Sequence, residues 1–191
     1  MTRPGLHATV EHSADPAAVK VALARLTEAH PEEELRLEED ASLRSALVSV
    51  LAASRSLTEL CLAEPAALDV LADLDDRTSP PSGDDASKEA VRRWKRLELL
   101  RIAARDLTGV DDLPDVGRAL AAMAGDVFDG ACAIAGAEGL TVVGMGKLGG
   151  SELNYASDVD VMFVAEDPAG GERVARAVLD VARACFRVDV D

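Results

Sequence analysis

Two aspartates one residue apart, directly after a glycine-rich turn, are the residues of this chain best suited to chemistry. Residues 144–160 read Gly-Met-Gly-Lys-Leu-Gly-Gly-Ser-Glu-Leu-Asn-Tyr-Ala-Ser-Asp-Val-Asp. Because side chains alternate along a strand, Asp158 and Asp160 are expected to point to the same face. Two carboxylates there can share hard cations such as Mg²⁺, and glycines let backbone N–H groups approach phosphate oxygens. The pattern predicts a site that holds a phosphate and a divalent metal side by side, as phosphoryl or nucleotidyl transfer requires.

The same glycines match the Gly-x-Gly-x-x-Gly fingerprint of dinucleotide-binding folds, beginning at Gly144. Acidic residues about 20 positions further on are available as Glu166 and Asp167. That fold needs the glycines to open a crossover helix of about ten or more residues before the next strand. Only eight residues separate Gly149 from Asp158, and they include poor helix formers. The spacing therefore argues against a dinucleotide site.

A nucleotidyltransferase pattern accounts for more of the stretch. That superfamily places a Gly-Gly or Gly-Ser turn on a short helix ahead of a strand with Asp-x-Asp, and a third carboxylate on a neighbouring strand. The turn is supplied here by Gly149, Gly150 and Ser151. Asp189, which follows Asp160 by 29 residues (189 − 160), is the candidate third carboxylate, and Asp191 on the same strand face is the alternative.

The elements that must position this stretch divide the chain into two regions. Residues 1–135 are predicted to be helical after a loose lead-in over residues 1–15, with an exposed loop at 75–85 that has no apolar residue. After residue 135 the apolar period changes from helical to strand-like. The predicted helices are 16–30, 43–53, 56–63, 66–74, 86–107, 113–135 and 170–184, and the predicted strands are 139–144, 158–165 and 186–190. This order predicts an α+β fold, with a catalytic domain at 136–191 that is cut off in its last strand.

The helix predicted over residues 86–107 is amphipathic. Its buried side is expected to consist of Val91, Trp94, Leu97, Leu100 and Ile102. Its outer side is expected to carry the basic residues Arg92, Arg93, Lys95, Arg96 and Arg101.

Composition excludes several classes of protein. The 191 residues carry a net charge of −15, whereas a nucleic-acid binder would show a basic surface. No stretch approaches the roughly 18 apolar residues of a membrane span, and the N-terminus lacks the apolar core of a signal peptide, so we expect a cytoplasmic location. The cysteines fit neither a zinc site nor a disulfide framework and are predicted to be small buried side chains; they are Cys61, Cys132 and Cys185.

Four stretches together resemble the glutamine synthetase adenylyltransferase/adenylyl-removing enzyme family. Residues 144–160 are nearly that family's nucleotidyltransferase signature. Residues 94–107, Trp-Lys-Arg-Leu-Glu-Leu-Leu-Arg-Ile-Ala-Ala-Arg-Asp-Leu, are similar to the arginine-rich helix that precedes its catalytic domain. Residues 54–60 match more weakly, and 186–189, Phe-Arg-Val-Asp, look like the strand with the third carboxylate.

The resemblance implies an activity and a set of partners. Family members carry two such domains, of which the amino-terminal copy removes AMP from a tyrosine of glutamine synthetase by phosphorolysis and releases ADP. The carboxy-terminal copy adds AMP from ATP. The Gly-Met-Gly-Lys and Glu-Leu-Asn-Tyr variants in this chain look like the amino-terminal copy, so deadenylylation is expected and adenylylation is the alternative. Glutamine synthetase is the implied protein substrate, and a PII signalling protein is a further candidate partner.

The resemblance also implies the roles of the site residues. Two Mg²⁺ or Mn²⁺ ions would be held by Asp158, Asp160 and Asp189. Phosphate groups of the nucleotide (AMP, ADP or ATP) and inorganic phosphate would be held by Gly149, Gly150 and Ser151, through backbone N–H groups and the serine hydroxyl. Lys147 is either a further phosphate contact or a solvated loop lysine.

Two other classes of function stay open from the sequence. One is a non-catalytic fragment whose helical half is a docking surface, since the family continues with an arginine-and-proline segment and a helical bundle where this chain stops. The other is a different nucleotidyltransferase of the same superfamily, such as an antibiotic-modifying or uridylyl-transferring enzyme. The helix at residues 94–107 argues against the latter, because that match lies outside the shared catalytic core.

Overall fold

In the computed structural model, which describes residues 5–186, helices predominate and a small antiparallel sheet of two strands completes an α+β fold. The helices are α1 (Leu6–Glu11), α2 (Pro16–Ala29), α3 (Glu32–Glu39), α4 (Ala41–Ala53), α5 (Arg55–Ala63), α6 (Ala66–Ala72), α7 (Lys88–Leu107), α8 (Leu113–Ala135), α9 (Gly146–Gly149) and α10 (Pro168–Cys185). The strands are β1 (Leu140–Gly144) and β2 (Val161–Ala165). The predicted strand at 186–190, with Asp189 and Asp191, falls outside the described residues except at its first position.

The described residues form two compact units. The first comprises the residues up to Arg77 together with Leu100–Asp111, and the second comprises Thr78–Leu99 together with the residues from Asp112 onward. Helix α7 contributes residues to both units, and the boundary predicted at 135/136 lies within the second one.

In the first unit, α4 is the central helix and packs against α1, α2, α3, α5 and α6. The side chain of Asp40 caps its first turn by accepting from the backbone N–H groups of Ser42 and Leu43, at 2.8 and 3.0 Å. Arg44 is buried in α4, and its Nη1 donates to the backbone oxygens of Leu37 and Glu38, at 2.7 and 3.0 Å. These bonds satisfy carbonyls at the end of α3 that have no partner inside that helix.

Two helices of the first unit were not expected from the sequence. The predicted lead-in over residues 1–15 is wrong at Leu6–Glu11, where α1 forms and buries Val10 against the rest of the unit. Helix α3, Glu-Glu-Glu-Leu-Arg-Leu-Glu-Glu, buries only Leu37. Helix α1 has only six residues and α3 is mostly charged, so tertiary contacts rather than apolar periodicity hold them.

The predicted loop at residues 75–85 is exposed, with a single 3₁₀ turn at Gly83–Asp85. In the first unit, Arg105 of α7 anchors its start. The Nε and Nη2 atoms of Arg105 donate to both carboxylate oxygens of Asp111, at 2.8 and 2.7 Å. Its Nη1 donates to the Leu74 carbonyl at 3.0 Å and to Asp75 at 2.6 Å. Hydrogen bonds to Asp111 and then to Asp75 raise the pKa of the Arg105 guanidinium, which stays charged.

In the second unit, α8 is the longest helix and packs against α10. It begins at the Asp112 cap, whose carboxylate accepts from the Asp115 N–H at 2.9 Å, and ends at Gly136, which has φ +61°. Phe128 of α8 stacks on Phe186, with ring centres 6.5 Å apart.

Helix α7 buries the five apolar residues predicted for its inner side. Two of its basic residues, which were predicted on the outer side, are buried instead: Lys95 is 9% exposed and Arg101 is 8% exposed. Lys95 Nζ lies 5.3 Å from the centre of the Phe186 ring, and Arg101 Nη1 donates to the Leu74 carbonyl at 3.0 Å. Long aliphatic stems let these side chains pack while their charged ends find a ring face or a carbonyl.

The cysteines are all free. Cys61 and Cys185 are buried as predicted, but Cys132 is only half-buried. Burial raises the pKa of the Cys61 thiol to about 12, and it also raises the pKa of the other two. Among residues 5–186, no helix is both long enough and apolar enough to cross a membrane.

Candidate functional site

The sheet of the second unit carries the candidate site at one end. Strands β1 and β2 pair antiparallel, with Gly144 opposite Val161. Helix α10 packs on this sheet so closely that a Cβ on its Gly171 would lie 2.4 Å from the Cβ of Ala165. Because β1 and β2 are antiparallel, they do not form the parallel crossover unit that the dinucleotide fingerprint requires.

The two aspartates lie just ahead of β2, which begins at Val161, so the predicted strand over 158–165 is shorter than expected. The alternation nevertheless extends back through this segment. Ser157 and Val159 are 7% and 2% exposed, whereas Asp158 and Asp160 are both exposed. Both carboxylates therefore leave the chain on the solvent side, as the spacing predicted.

The glycine turn is built directly against Asp160. The Met145 N–H donates to the Asp160 carbonyl at 2.9 Å. Gly146 has φ +50°, and a Cβ there would lie 3.1 Å from Asp160 Oδ2. Gly149 faces the end of β1, where a Cβ would lie 2.5 Å from the Gly144 carbonyl oxygen. These glycines let the single turn of α9 lie against the strand end and the carboxylate.

Ser151 closes α9 in the left-handed conformation, with φ +57°, and it is the one non-glycine residue with positive φ among those described. The Glu152 N–H donates to Lys147 O at 2.8 Å and the Ser151 N–H donates to Leu148 O at 3.1 Å. This pair of bonds is a Schellman motif, in which glycine usually takes the left-handed position. A serine there costs about 1 kcal/mol or more in backbone energy.

The backbone donors predicted to hold phosphate are already engaged within the turn. The N–H groups of Gly149 and Gly150 donate to Met145 O and Gly146 O, at 2.9 and 3.0 Å, and the Ser151 N–H is used in the Schellman motif. In this conformation the candidate phosphate donors are therefore the Ser151 hydroxyl and the Lys147 ammonium, both on exposed residues.

A second turn, at residues 154–157, connects α9 to Asp158. The Asn154 N–H donates to Ser157 Oγ at 3.1 Å, and the Ala156 N–H donates to Asn154 Oδ1 at 3.0 Å. Asn154 therefore fixes this turn through its side chain and its backbone. The part played by Ser157 was missed, since a serine before the aspartates gave no pattern to detect. Asp167, an acidic candidate for the dinucleotide reading, caps α10 through the N–H groups of Ala169 and Gly170.

The two carboxylates suit a hard divalent cation. Exposed carboxylate oxygens are the donors that Mg²⁺ and Mn²⁺ prefer, and Mg²⁺ keeps several waters when few carboxylates bind it. Within residues 5–186, no group of three or more His, Cys, Asp or Glu side chains converges in a way that could hold a metal. Of the three predicted ligands, Asp158 and Asp160 are among the described residues, and Asp189 lies outside them.

Comparison with known proteins shows the family of this chain. The family model for glutamate-ammonia ligase adenylyltransferase matches residues 44–188. Among curated relatives, the bifunctional glutamine synthetase adenylyltransferase/adenylyl-removing enzyme of Streptomyces avermitilis is 34% identical over 193 residues, covering 90% of this chain and 19% of its own length. Enzymes of the same name from Mycolicibacterium smegmatis and Burkholderia mallei are 33% and 36% identical, covering 83% and 74% of this chain. The chain spans 19% of the length of its Streptomyces and Mycolicibacterium relatives. It belongs to the glutamate-ammonia ligase adenylyltransferase family.

Proposed function

We propose that this chain contains the metal-binding and phosphate-binding part of a nucleotidyltransferase that removes AMP from adenylylated glutamine synthetase. The observation that carries the proposal is the junction of the glycine turn with the aspartates. Asp158 and Asp160 share one exposed side, and the Met145 N–H joins the turn to the Asp160 carbonyl. A Cβ at Gly146 would lie only 3.1 Å from Asp160 Oδ2. Family membership and the names of the relatives support the nucleotide and the protein substrate.

The residues of the site have distinct roles in this proposal. Asp158 and Asp160 hold Mg²⁺ or Mn²⁺, with Asp189 as the third ligand. Bound metal supplies neutralisation of charge between two anions that must approach each other. Ser151 and Lys147 contact phosphate oxygens through a hydroxyl and an ammonium group, and the αL backbone of Ser151 sets the direction of its side chain.

The reaction needs no side-chain nucleophile. An oxygen of inorganic phosphate attacks the phosphorus of the AMP group, and the bond between that phosphorus and the tyrosine oxygen breaks. The products are ADP and tyrosinate, which takes a proton from solvent. With a free pKa of about 10, the tyrosine hydroxyl is a good leaving group. The chain contributes position and charge complementarity, which dominate catalysis of phosphoryl transfer.

The test is phosphate-dependent release of ADP from adenylylated glutamine synthetase in the presence of Mg²⁺. Asp158→Asn and Asp160→Asn are expected to abolish ADP release without changing the far-ultraviolet circular dichroism spectrum. Asp129→Asn, which removes an exposed carboxylate of α8 in the same unit, is the matched control and is expected to retain activity. Mn²⁺ binding, followed by electron paramagnetic resonance, should weaken in the first two variants and not in the third.

The other outcomes separate the alternatives. ATP-dependent transfer of AMP to glutamine synthetase, lost in the same two variants, would replace deadenylylation by the adenylylating reaction. Binding of glutamine synthetase without either reaction, and equal in all three variants, would favour the docking fragment. Mn²⁺ binding unaffected by Asp158→Asn and Asp160→Asn would refute the metal site itself.

A further inference from the structure

The backbone of the segment that follows the glycine turn lies directly against helix α8. Gly117 of α8 is buried, and a Cβ at this position would lie 3.4 Å from the Leu153 oxygen, 3.5 Å from the Glu152 Cα and 3.6 Å from the Ser151 oxygen. The three atoms belong to consecutive residues and all are backbone. Position 117 thus leaves room for a Cβ at ordinary contact distance, and any atom beyond Cβ would meet the main chain of residues 151–153.

This contact bears on the one strained residue of the turn. Ser151 has φ +57°, a conformation that persists in a non-glycine residue only when its surroundings hold it. Within the turn, Ser151 is held by the two hydrogen bonds of the Schellman motif, from the Glu152 N–H to Lys147 O and from the Ser151 N–H to Leu148 O. From outside the turn, α8 lies against the backbone oxygen of Ser151 and against the next two residues. The second of these, Leu153, is buried, with 6% exposure.

We propose that Gly117 is a positioning residue: the absence of side-chain atoms beyond Cβ at this position lets α8 clamp residues 151–153 and hold the Ser151 hydroxyl toward the phosphate site. This inference rests on the proposed function for the identity of the ligand, although the clamp itself is a property of the fold. A side chain that extends beyond Cβ at position 117 meets backbone, which cannot rotate away as a flexible side chain would.

Helix α8 offers a matched control for this proposal. Gly125 lies in the same helix, is exposed, and has no atom within 4 Å of a Cβ built there. Gly117→Val and Gly125→Val make the same change in helix propensity, but only the first pushes on residues 151–153. Gly117→Ala adds a Cβ at ordinary contact distance, so it is expected to leave the clamp intact.

Two measurements test the proposal, and the first does not depend on the activity. Hydrogen exchange of the Glu152 amide, which donates across the Schellman motif, is followed by NMR in the full chain. We expect exchange at least about tenfold faster in Gly117→Val, which corresponds to a free energy of local opening lower by about 1.4 kcal/mol. Exchange in Gly125→Val and Gly117→Ala is expected to be unchanged. Equal protection of Glu152 in the two valine variants would overturn the clamp. If Gly117→Val does not fold, Gly117→Ser and Gly125→Ser take the place of the valine pair.

The second measurement is the steady-state kinetics of ADP release as a function of inorganic phosphate. Gly117→Val is expected to raise the KM for phosphate by about tenfold or more, the factor for losing one hydrogen bond to a charged group. A loss of folded protein alone would lower kcat and leave KM unchanged, and that result would overturn the positioning role. If the wild-type chain releases no ADP, the proposed function fails. Hydrogen exchange of the Glu152 amide still tests the clamp in that case.

Discussion

Substitution of Gly149 by alanine is expected to destabilise the second unit and, in addition, to lower the activity of the candidate site. A Cβ at this position would lie 2.5 Å from the Gly144 carbonyl oxygen, whereas ordinary contact begins at 3.4 Å, so the backbone of α9 must move by about 0.9 Å (3.4 − 2.5). Overpacking of this kind costs about 2 kcal/mol, since backbone meets backbone and no side chain can rotate away. That loss corresponds to a melting temperature lower by about 8–16 °C for a unit of about 100 residues.

The single tryptophan provides a local assay. Trp94 is buried in the second unit, and its Nε1 donates to the Thr78 carbonyl at 3.0 Å, so its fluorescence reports the unfolding of that unit. In the Gly149→Ala variant, the change in Trp94 fluorescence should occur at a lower urea concentration and at a lower temperature. ADP release should fall by more than the folded fraction does, because α9 carries Lys147 and leads into Ser151.

The same substitution at Gly125 should have the opposite sign. Its Cβ meets nothing within 4 Å, and alanine is a better helix former than glycine by about 0.5–1 kcal/mol. Gly125→Ala is therefore expected to raise slightly the urea concentration and the temperature at which the Trp94 fluorescence changes. A Gly149→Ala variant as stable as the Gly125→Ala variant would refute the reasoning, because it would mean that the contact with the Gly144 oxygen is relieved without cost.

Two further predictions concern the first unit and the cysteines. Arg105→Ala leaves the largely buried Asp111 carboxylate without its bidentate partner, and it should cost about 1–3 kcal/mol of unfolding free energy in urea. Arg118→Ala, which removes an exposed surface pair, should change that free energy by less than about 0.5 kcal/mol, and equal effects of the two variants would contradict the anchoring role of Arg105. Because burial raises the pKa of Cys61 to about 12 from a usual 9.0, its thiol ionises first in the unfolded chain, and its contribution to stability is lost as pH rises between 9 and 12. Alkylation at pH 9 followed by mass spectrometry should label half-buried Cys132 well before Cys61, and equal rates would show that Cys61 is accessible in the folded state.

Local signals predicted most of the helices. Asp before Pro is typical of a helix start, and the Asp15 carboxylate does cap α2 by accepting from the Ala18 N–H at 3.0 Å. The apolar period of α7 correctly predicted five of its buried apolar residues, whereas α3, with one buried leucine among six charged residues, had no period to detect. The burial of Lys95 and Arg101 was missed because their partners, an aromatic ring and a carbonyl, come from distant parts of the chain.

The sequence alone determined which residues could form the site, because strand alternation and turn chemistry depend only on neighbouring residues. That reasoning placed Asp158 and Asp160 on one side and the glycines ahead of them. The tertiary structure alone decided how these parts touch. It showed that the amide groups of the turn bond within the turn, and that α8 supports Ser151 through Gly117. The contact between Gly117 and residues 151–153 joins positions more than 30 apart. No local pattern encodes the distance between two backbones that meet only in the folded chain.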